Sequence, residues 1–160
     1  MKKGSTTFLK IVIILMGVAM AAALLWFPQT EGRAKNLDFI HIYLDPVIAY
    51  IYLGSIAFFM ALFQAFKLLI YIEQNKTFSP ASVKILRTIK YCAISIVCSV
   101  ALSAVWIRYM AEASGDDPAG AIAIGIVIIF ASSVIATFAA VLQKLFQNAL
   151  DIKSENELTV

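Results

Sequence analysis

One histidine in this chain has two acidic neighbours at spacings compatible with a cation site. Asp38, His41 and Asp45 are three and four residues apart, so a helical turn would place them on one face. Imidazole and carboxylate groups both bind metals, but a stable site normally needs several converging ligands. We therefore favour a solvated amphipathic loop over a weak cation site, and expect the chain to hold no metal.

A second group of polar side chains lies within apolar sequence. Gln64 is the deepest strongly polar residue, and Ser95, Ser99 and Ser103 recur every four residues. Inside a membrane, such groups either form hydrogen bonds at helix interfaces or line a polar path. No acidic residue accompanies them at mid-membrane depth to relay protons. Helix packing is therefore the favoured interpretation, and an intramembrane polar site at these four residues is the alternative.

No arrangement of residues in the sequence predicts catalysis. The serines lack a suitable base nearby, and there is no glycine-rich phosphate-binding loop. Cys92 and Cys98 are six residues apart, so on a helix they point about 120° away from each other and cannot form a disulfide. We expect a protein that is not an enzyme and that has no cofactor.

These side chains are positioned by four apolar segments, each close to or above the roughly 17–25 residues that cross a bilayer. The predicted spans cover about residues 8–27, 46–72, 88–110 and 118–142. The chain is 61% hydrophobic and 14% charged, whereas soluble domains carry about 25% charged residues. The sequence predicts an all-α integral membrane four-helix bundle. It would form one domain over residues 1–160, with a cytoplasmic helical tail at 143–160.

The basic residues are distributed unevenly between the two sides of these spans. Ten of the thirteen lysines and arginines lie in the N-terminus, the second loop with its flanks, and the C-terminal tail. Arg33, Lys35 and Arg108 lie on the other side. Because basic loops are retained in the cytoplasm, we predict a multi-pass protein of the inner membrane with both termini cytoplasmic. The same charges favour contact with anionic lipid and require no direct binding of nucleic acid.

Three of the helices are predicted to extend beyond the bilayer into the cytoplasm. The second has no helix breaker from Val47 to Gln74. Ser79 followed by Pro80 is typical of a helix start, and the third helix would run from there through the membrane. The fourth helix would begin at Pro118 and continue past the apolar segment as the tail.

The projecting ends form the surface most suited to a partner. The turn carries an aromatic residue, and the third helix carries basic residues. The tail contains apolar residues together with acidic residues, whose charge is unfavourable at the C-terminus of a helix. The partner-binding residues proposed from sequence are Phe78, Lys84, Arg87, Asp151, Glu155, Glu157 and Leu158. A solvated terminus without a partner is the competing interpretation of the tail.

The turn Phe78-Ser79-Pro80, the following Val83 and Leu86-Arg87, and the ending Ser-Glu-Asn-Glu-Leu-Thr-Val at residues 154–160 resemble a bacterial family of small four-helix membrane proteins. That family is a domain-of-unknown-function family, and the resemblance covers essentially the whole chain. Its genes often lie beside a gene for a helix-turn-helix transcription regulator. The resemblance therefore implies such a DNA-binding regulator as a partner, and it supplies no active site.

The sequence predicts a non-enzymatic membrane regulator or sensor that binds a cytoplasmic partner at its helix ends and tail. The alternative is a small transporter, channel or immunity and resistance protein with a site inside the bundle. The bilayer is the expected environment in either case. Small-residue faces also allow a homo-oligomer, because they serve packing within and between chains equally well.

Overall fold

A computed structural model describes residues 3–30, 46–115 and 117–158. In these segments the chain forms four helices, α1 (Lys3–Thr30), α2 (Pro46–Glu73), α3 (Pro80–Ser114) and α4 (Ala119–Leu158). Each helix contains a stretch that is long and apolar enough to cross a membrane. The predicted all-α class and the four membrane-spanning helices are confirmed.

Local chemistry sets the ends of the helices near the turn between α2 and α3. Asn75 adopts a left-handed backbone conformation with φ 56° just after α2 ends. Ser79 is extended and its hydroxyl accepts a hydrogen bond from the Ser82 backbone N–H at 3.2 Å, while Pro80 occupies the first turn. The predicted start of α3 is confirmed.

The opposite end of α3 and the start of α4 are set in the same way. Gly115 follows α3 with φ 73°, and its N–H donates to the carbonyl of Ala111 at 2.9 Å. Asp117 accepts a hydrogen bond from the Ala119 N–H at 3.0 Å, which places an acceptor at the start of α4. The fourth helix thus begins within a residue of the predicted Pro118.

The helices pack in sequence order, each antiparallel to the next. Among the described residues, α3 packs extensively against α2 and α4, and α1 packs against α2 over a smaller area. Glycines lie opposite residues of the neighbouring helix at these interfaces: Gly17 opposite Leu62, Gly54 opposite Ser99, and Gly125 opposite Val100. Small residues at these points let the helices approach closely. The result is a row in which α3 has two extensive neighbours.

The helix lengths exceed the thickness of a bilayer. The 35 residues of α3 and the 40 residues of α4 correspond to about 52 Å and 60 Å at the α-helical rise, against a hydrocarbon core of about 30 Å. Large apolar side chains are exposed along the middle of the row, including Val105, Phe130 and Phe138. Exposed apolar faces of this kind are suited to lipid, so the excess length must lie at the polar ends.

Candidate functional site

One end of the molecule, where α1 begins, α2 ends, α3 begins and α4 ends, carries most of the basic side chains. We call it the basic end; its members are Lys10, Lys67, Lys76, Lys84, Arg87, Lys90, Lys144 and Lys153. In the described segments, Arg108 lies at the opposite end, paired with Glu112 on its own helix at 3.1 Å. The basic end also contains polar contacts that join different helices.

An ion pair joins α1 to α2 at the basic end. The Lys10 ammonium lies 2.6 Å from the Glu73 carboxylate, and the two side chains are 23% and 29% exposed. The same ammonium lies 5.8 Å from the centre of the Phe66 ring. Partial burial makes this pair stronger than one on an open surface. It fastens the helix that has the smallest contact area with the rest of the row.

Two contacts join α3 and the preceding turn to α4. The Lys90 ammonium donates to the side-chain oxygen of Gln143 at 3.2 Å. The Phe78 ring meets the Phe146 ring edge-to-face, with centroids 5.2 Å apart. Phe78 nevertheless remains 55% exposed, so one part of the ring packs on α4 and the rest faces outward.

The basic residues predicted for partner binding lie on α3 in different surroundings. Lys84 and Arg87 are both exposed. Lys84 lines a cavity between α3 and α2, whereas Arg87 is outside the lining of that cavity. Phe78 packs on α4, on the other side of α3. The structure therefore distributes these three residues around the start of α3.

The acidic part of the predicted surface lies on the last turns of α4. Asp151 is exposed and accepts a hydrogen bond from the Gln147 side chain at 3.1 Å, one turn earlier. Glu155 is also exposed. The side chains of Glu157 and Leu158 lie outside the described part of the chain. The helix itself continues to Leu158.

The cavity between α2 and α3 at the basic end has a volume of about 200 Å³. It is lined by polar or basic residues from both helices: Gln64, Lys67 and Tyr71 on α2, and Lys84 and Thr88 on α3, with Ile85 and Ala81 beside them. The structure thus brings Gln64 next to Lys84. The sequence placed these two residues in different predicted sites.

The serines predicted to accompany Gln64 lie further along α3, away from the basic end. Ser95 is seven residues beyond Thr88, about 10 Å along α3. Ser99 is 3% exposed, and its hydroxyl donates to the Ser95 carbonyl at 2.9 Å. Ser103 likewise donates to the carbonyl of Val100 at 2.9 Å. Because the Ser99 hydroxyl bonds to its own helix, this residue can lie opposite Gly54 of α2 with its donor satisfied.

No cluster of three or more metal-binding side chains occurs in the described segments. Asp38, His41 and Asp45, considered as a weak cation site, lie outside them. Three features of the basic end were missed from sequence: Lys67 in the cavity, the contact of Phe146 with Phe78, and the pairing of Lys10 with Glu73. Lys67 is recognisable in the sequence as a basic residue near the end of a span, but the sequence does not show that α3 faces it.

Comparison with known proteins agrees with this architecture. Residues 6–160 match the family described as Protein of unknown function (DUF2975). The chain is 48% identical over 162 residues to the Uncharacterized membrane protein YoaS of Bacillus subtilis (strain 168), covering all of both chains. No solved structure matches the chain. A match of this extent, together with four apolar helices, shows that the chain is a membrane protein of the DUF2975 family, whose function is unknown.

Proposed function

We propose that the protein is a non-enzymatic membrane regulator or sensor that holds a cytoplasmic partner at its basic end. In this proposal the protein crosses the inner membrane four times with both termini in the cytoplasm. The excess of basic residues at the end where α1 begins and α4 ends supports that orientation.

The observation that carries the proposal is apolar surface beyond the polar boundary of α4. Gln143 and Lys144 end the apolar part of the helix, and residues 143–158 extend about 24 Å further. Phe78, Leu145 and Ile152 are 55%, 56% and 61% exposed in this region. Apolar side chains facing water are typical of a surface that another protein covers.

The charges around these apolar side chains suit a protein partner. Arg87 lies on α3, and Asp151 and Glu155 lie on α4, so both signs of charge are present at the rim. Charged rims around apolar anchors increase specificity more than affinity. The family resemblance suggests a helix-turn-helix transcription regulator as the partner, which would couple the membrane to DNA without direct DNA binding by this chain.

The experiment is co-purification of the full-length chain with a helix-turn-helix regulator encoded beside its gene. We expect Phe78→Ala, and truncation after residue 150, to reduce recovery of the regulator at least tenfold. Phe130→Ala is the matched control, because Phe130 is 70% exposed in the middle of α4 and should face lipid. Recovery by the truncated chain equal to that of the full chain would remove the basis of the proposal.

A site for transport inside the row gains no support from the described residues. The hydroxyls of Ser99 and Ser103 bond to their own helix, and the cavity lined by Gln64 lies at the basic end.

A further inference from the structure

We propose that the cavity between α2 and α3 at the basic end binds a phosphate group, and that the phosphate belongs to the headgroup of an anionic lipid. This inference goes beyond the proposed function and does not depend on it. It rests on the size of the cavity, the groups that line it and the surface beside it.

The cavity can hold a group of this size. Its volume is about 200 Å³, which is the space of several water molecules in the liquid. Side chains from two helices surround it, so a bound group would contact α2 and α3 together. Gln64, Lys67 and Tyr71 form one wall, and Lys84 and Thr88 form the other.

The lining is positively charged and has no acidic member. Within the described segments, neither Lys67 nor Lys84 forms an ion pair with a carboxylate. Two ammonium groups on facing helices repel each other unless an anion lies between them. The Gln64 amide and the Tyr71 hydroxyl add uncharged donors at the same place.

The first turn of α3 strengthens the preference for an anion. Ala81 belongs to that turn and lines the cavity. The aligned peptide dipoles of a helix give its N-terminus a partial positive charge, which attracts phosphate and carboxylate groups. This contribution is independent of the two lysines, since it comes from the backbone.

The surface next to the cavity favours a lipid over a soluble phosphate. Met60 and Phe63 precede Gln64 and Lys67 by one helical turn on the membrane side, and they are 49% and 65% exposed. Acyl chains attached to a phosphate in the cavity would pass along these apolar side chains. Basic pockets between membrane helices bind acidic headgroups in this way.

The test uses the purified full-length protein with phosphatidylglycerol, and native mass spectrometry to measure the lipid retained. We expect Lys67→Gln and Lys84→Gln each to weaken retention about fivefold. Lys144→Gln is the matched control, because it removes an exposed cation of the basic end that does not line the cavity. It should leave retention unchanged.

A second variant separates a defined site from general attraction between charges. Ala81→Leu keeps every charge and fills the cavity. We expect it to lower retention of phosphatidylglycerol at least as much as the loss of one lysine. Circular dichroism and gel filtration of each variant establish that the helices and the oligomeric state are intact.

Three outcomes would overturn the proposal. Equal losses in Lys67→Gln and Lys144→Gln would indicate diffuse attraction, and full retention in Ala81→Leu would show that the cavity is not the site. Inorganic phosphate that displaces the lipid at equal concentration would overturn the assignment to a lipid. None of these measurements uses a cytoplasmic partner, so their failure is distinguishable from failure of the proposed function.

Discussion

The helices α1 and α3 are both apolar and both long enough to cross a membrane, yet their surroundings are opposite. In the most apolar window of α1 no residue is buried, whereas 17% of the corresponding window of α3 is buried. The more apolar helix is therefore the more exposed one, which is the reverse of the rule for soluble proteins. In a bilayer, apolar side chains are stable against lipid, so hydrophobicity alone gives no reason to enter the interior.

The buried side chains of the described segments include hydroxyl-bearing residues as well as apolar ones. In the described segments, the buried polar side chains are all serine or threonine: Thr6, Ser55, Ser82, Ser99 and Ser132. No buried side-chain nitrogen or oxygen there lacks a hydrogen-bond partner. Most buried residues belong to α3, which is also the helix with two extensive neighbours. The central helix therefore buries both apolar and hydroxyl-bearing side chains, and the difference from α1 shows that high hydropathy alone does not place a helix at the centre.

The largest expected loss of stability comes from a bulky side chain at the interface between α2 and α3. The same change at the interface between α1 and α2 should cost less. A side chain at Gly54 would point at the Ser99 Cβ, 3.8 Å from its own Cβ position, whereas one at Gly17 would meet the flexible end of Leu62. Alanine fits at both places. We expect Gly54→Leu to destabilise the protein by about 1–3 kcal/mol and Gly17→Leu by less than about 1 kcal/mol. Thermal unfolding in detergent measures both.

Gly120→Leu is the control for this prediction, because nothing lies within 4 Å of its Cβ position. The stability of this variant should be no lower than that of the unchanged protein. The distinction between α1 and α3 would be broken if Gly17→Leu were as destabilising as Gly54→Leu.

The second prediction concerns the start of α3. Replacing Ser79 by alanine removes the acceptor for the buried Ser82 backbone N–H and should cost about 1 kcal/mol. Ser79→Asp keeps an acceptor and should retain most of the stability. Hydrogen exchange at the first turn of α3 is the measurement, and unchanged exchange in Ser79→Ala would show that the cap does not hold this end.

The third prediction tests the attachment of α1. Glu73→Gln removes the charge that pairs with Lys10 and should loosen α1 at a cost of about 1 kcal/mol. The exchanged pair Lys10→Glu with Glu73→Lys should restore the lost stability. The yield of site-specific crosslinking between α1 and α2 measures how closely α1 is held in each variant.

Glu112→Gln is the matched control for the attachment of α1. Its ion pair with Arg108 lies within one helix and both side chains are 67% exposed, so no measurable loss is expected. Equal crosslinking in Glu73→Gln and in the unchanged protein would show that the ion pair does not hold α1.

The smallest expected effect is at Ser99. Its hydroxyl bonds to a carbonyl of the same helix, so Ser99→Ala should change stability by less than about 0.6 kcal/mol. Unfolding in detergent under the same conditions allows direct comparison with Gly54→Leu. A loss as large as that of Gly54→Leu would mean that the hydroxyl, and not the small size of the residue, holds α2 to α3.

The sequence predicted the elements of this fold better than their arrangement. Long apolar runs, Ser79-Pro80 and Gly115 identify where helices begin and end, because those signals are local. The pairing of Gly54 with Ser99 was not predictable, since small residues occur on several faces of every span. The cavity was not predictable either, because Lys67 and Lys84 line it from two different helices and no spacing along the chain indicates that they lie close together.

Packing in sequence order has a consequence for how the protein assembles during synthesis. Each extensive interface joins helices that are consecutive in the chain, so none of these interfaces requires an intervening helix to be bypassed. Such topologies form quickly, because little loop entropy is lost before contacts are made. As the chain emerges from the ribosome, α2 can pack on α1, then α3 on α2, and then α4 on α3. No helix needs to wait in the bilayer for a distant partner, which limits the time that buried serines of α3 spend facing lipid.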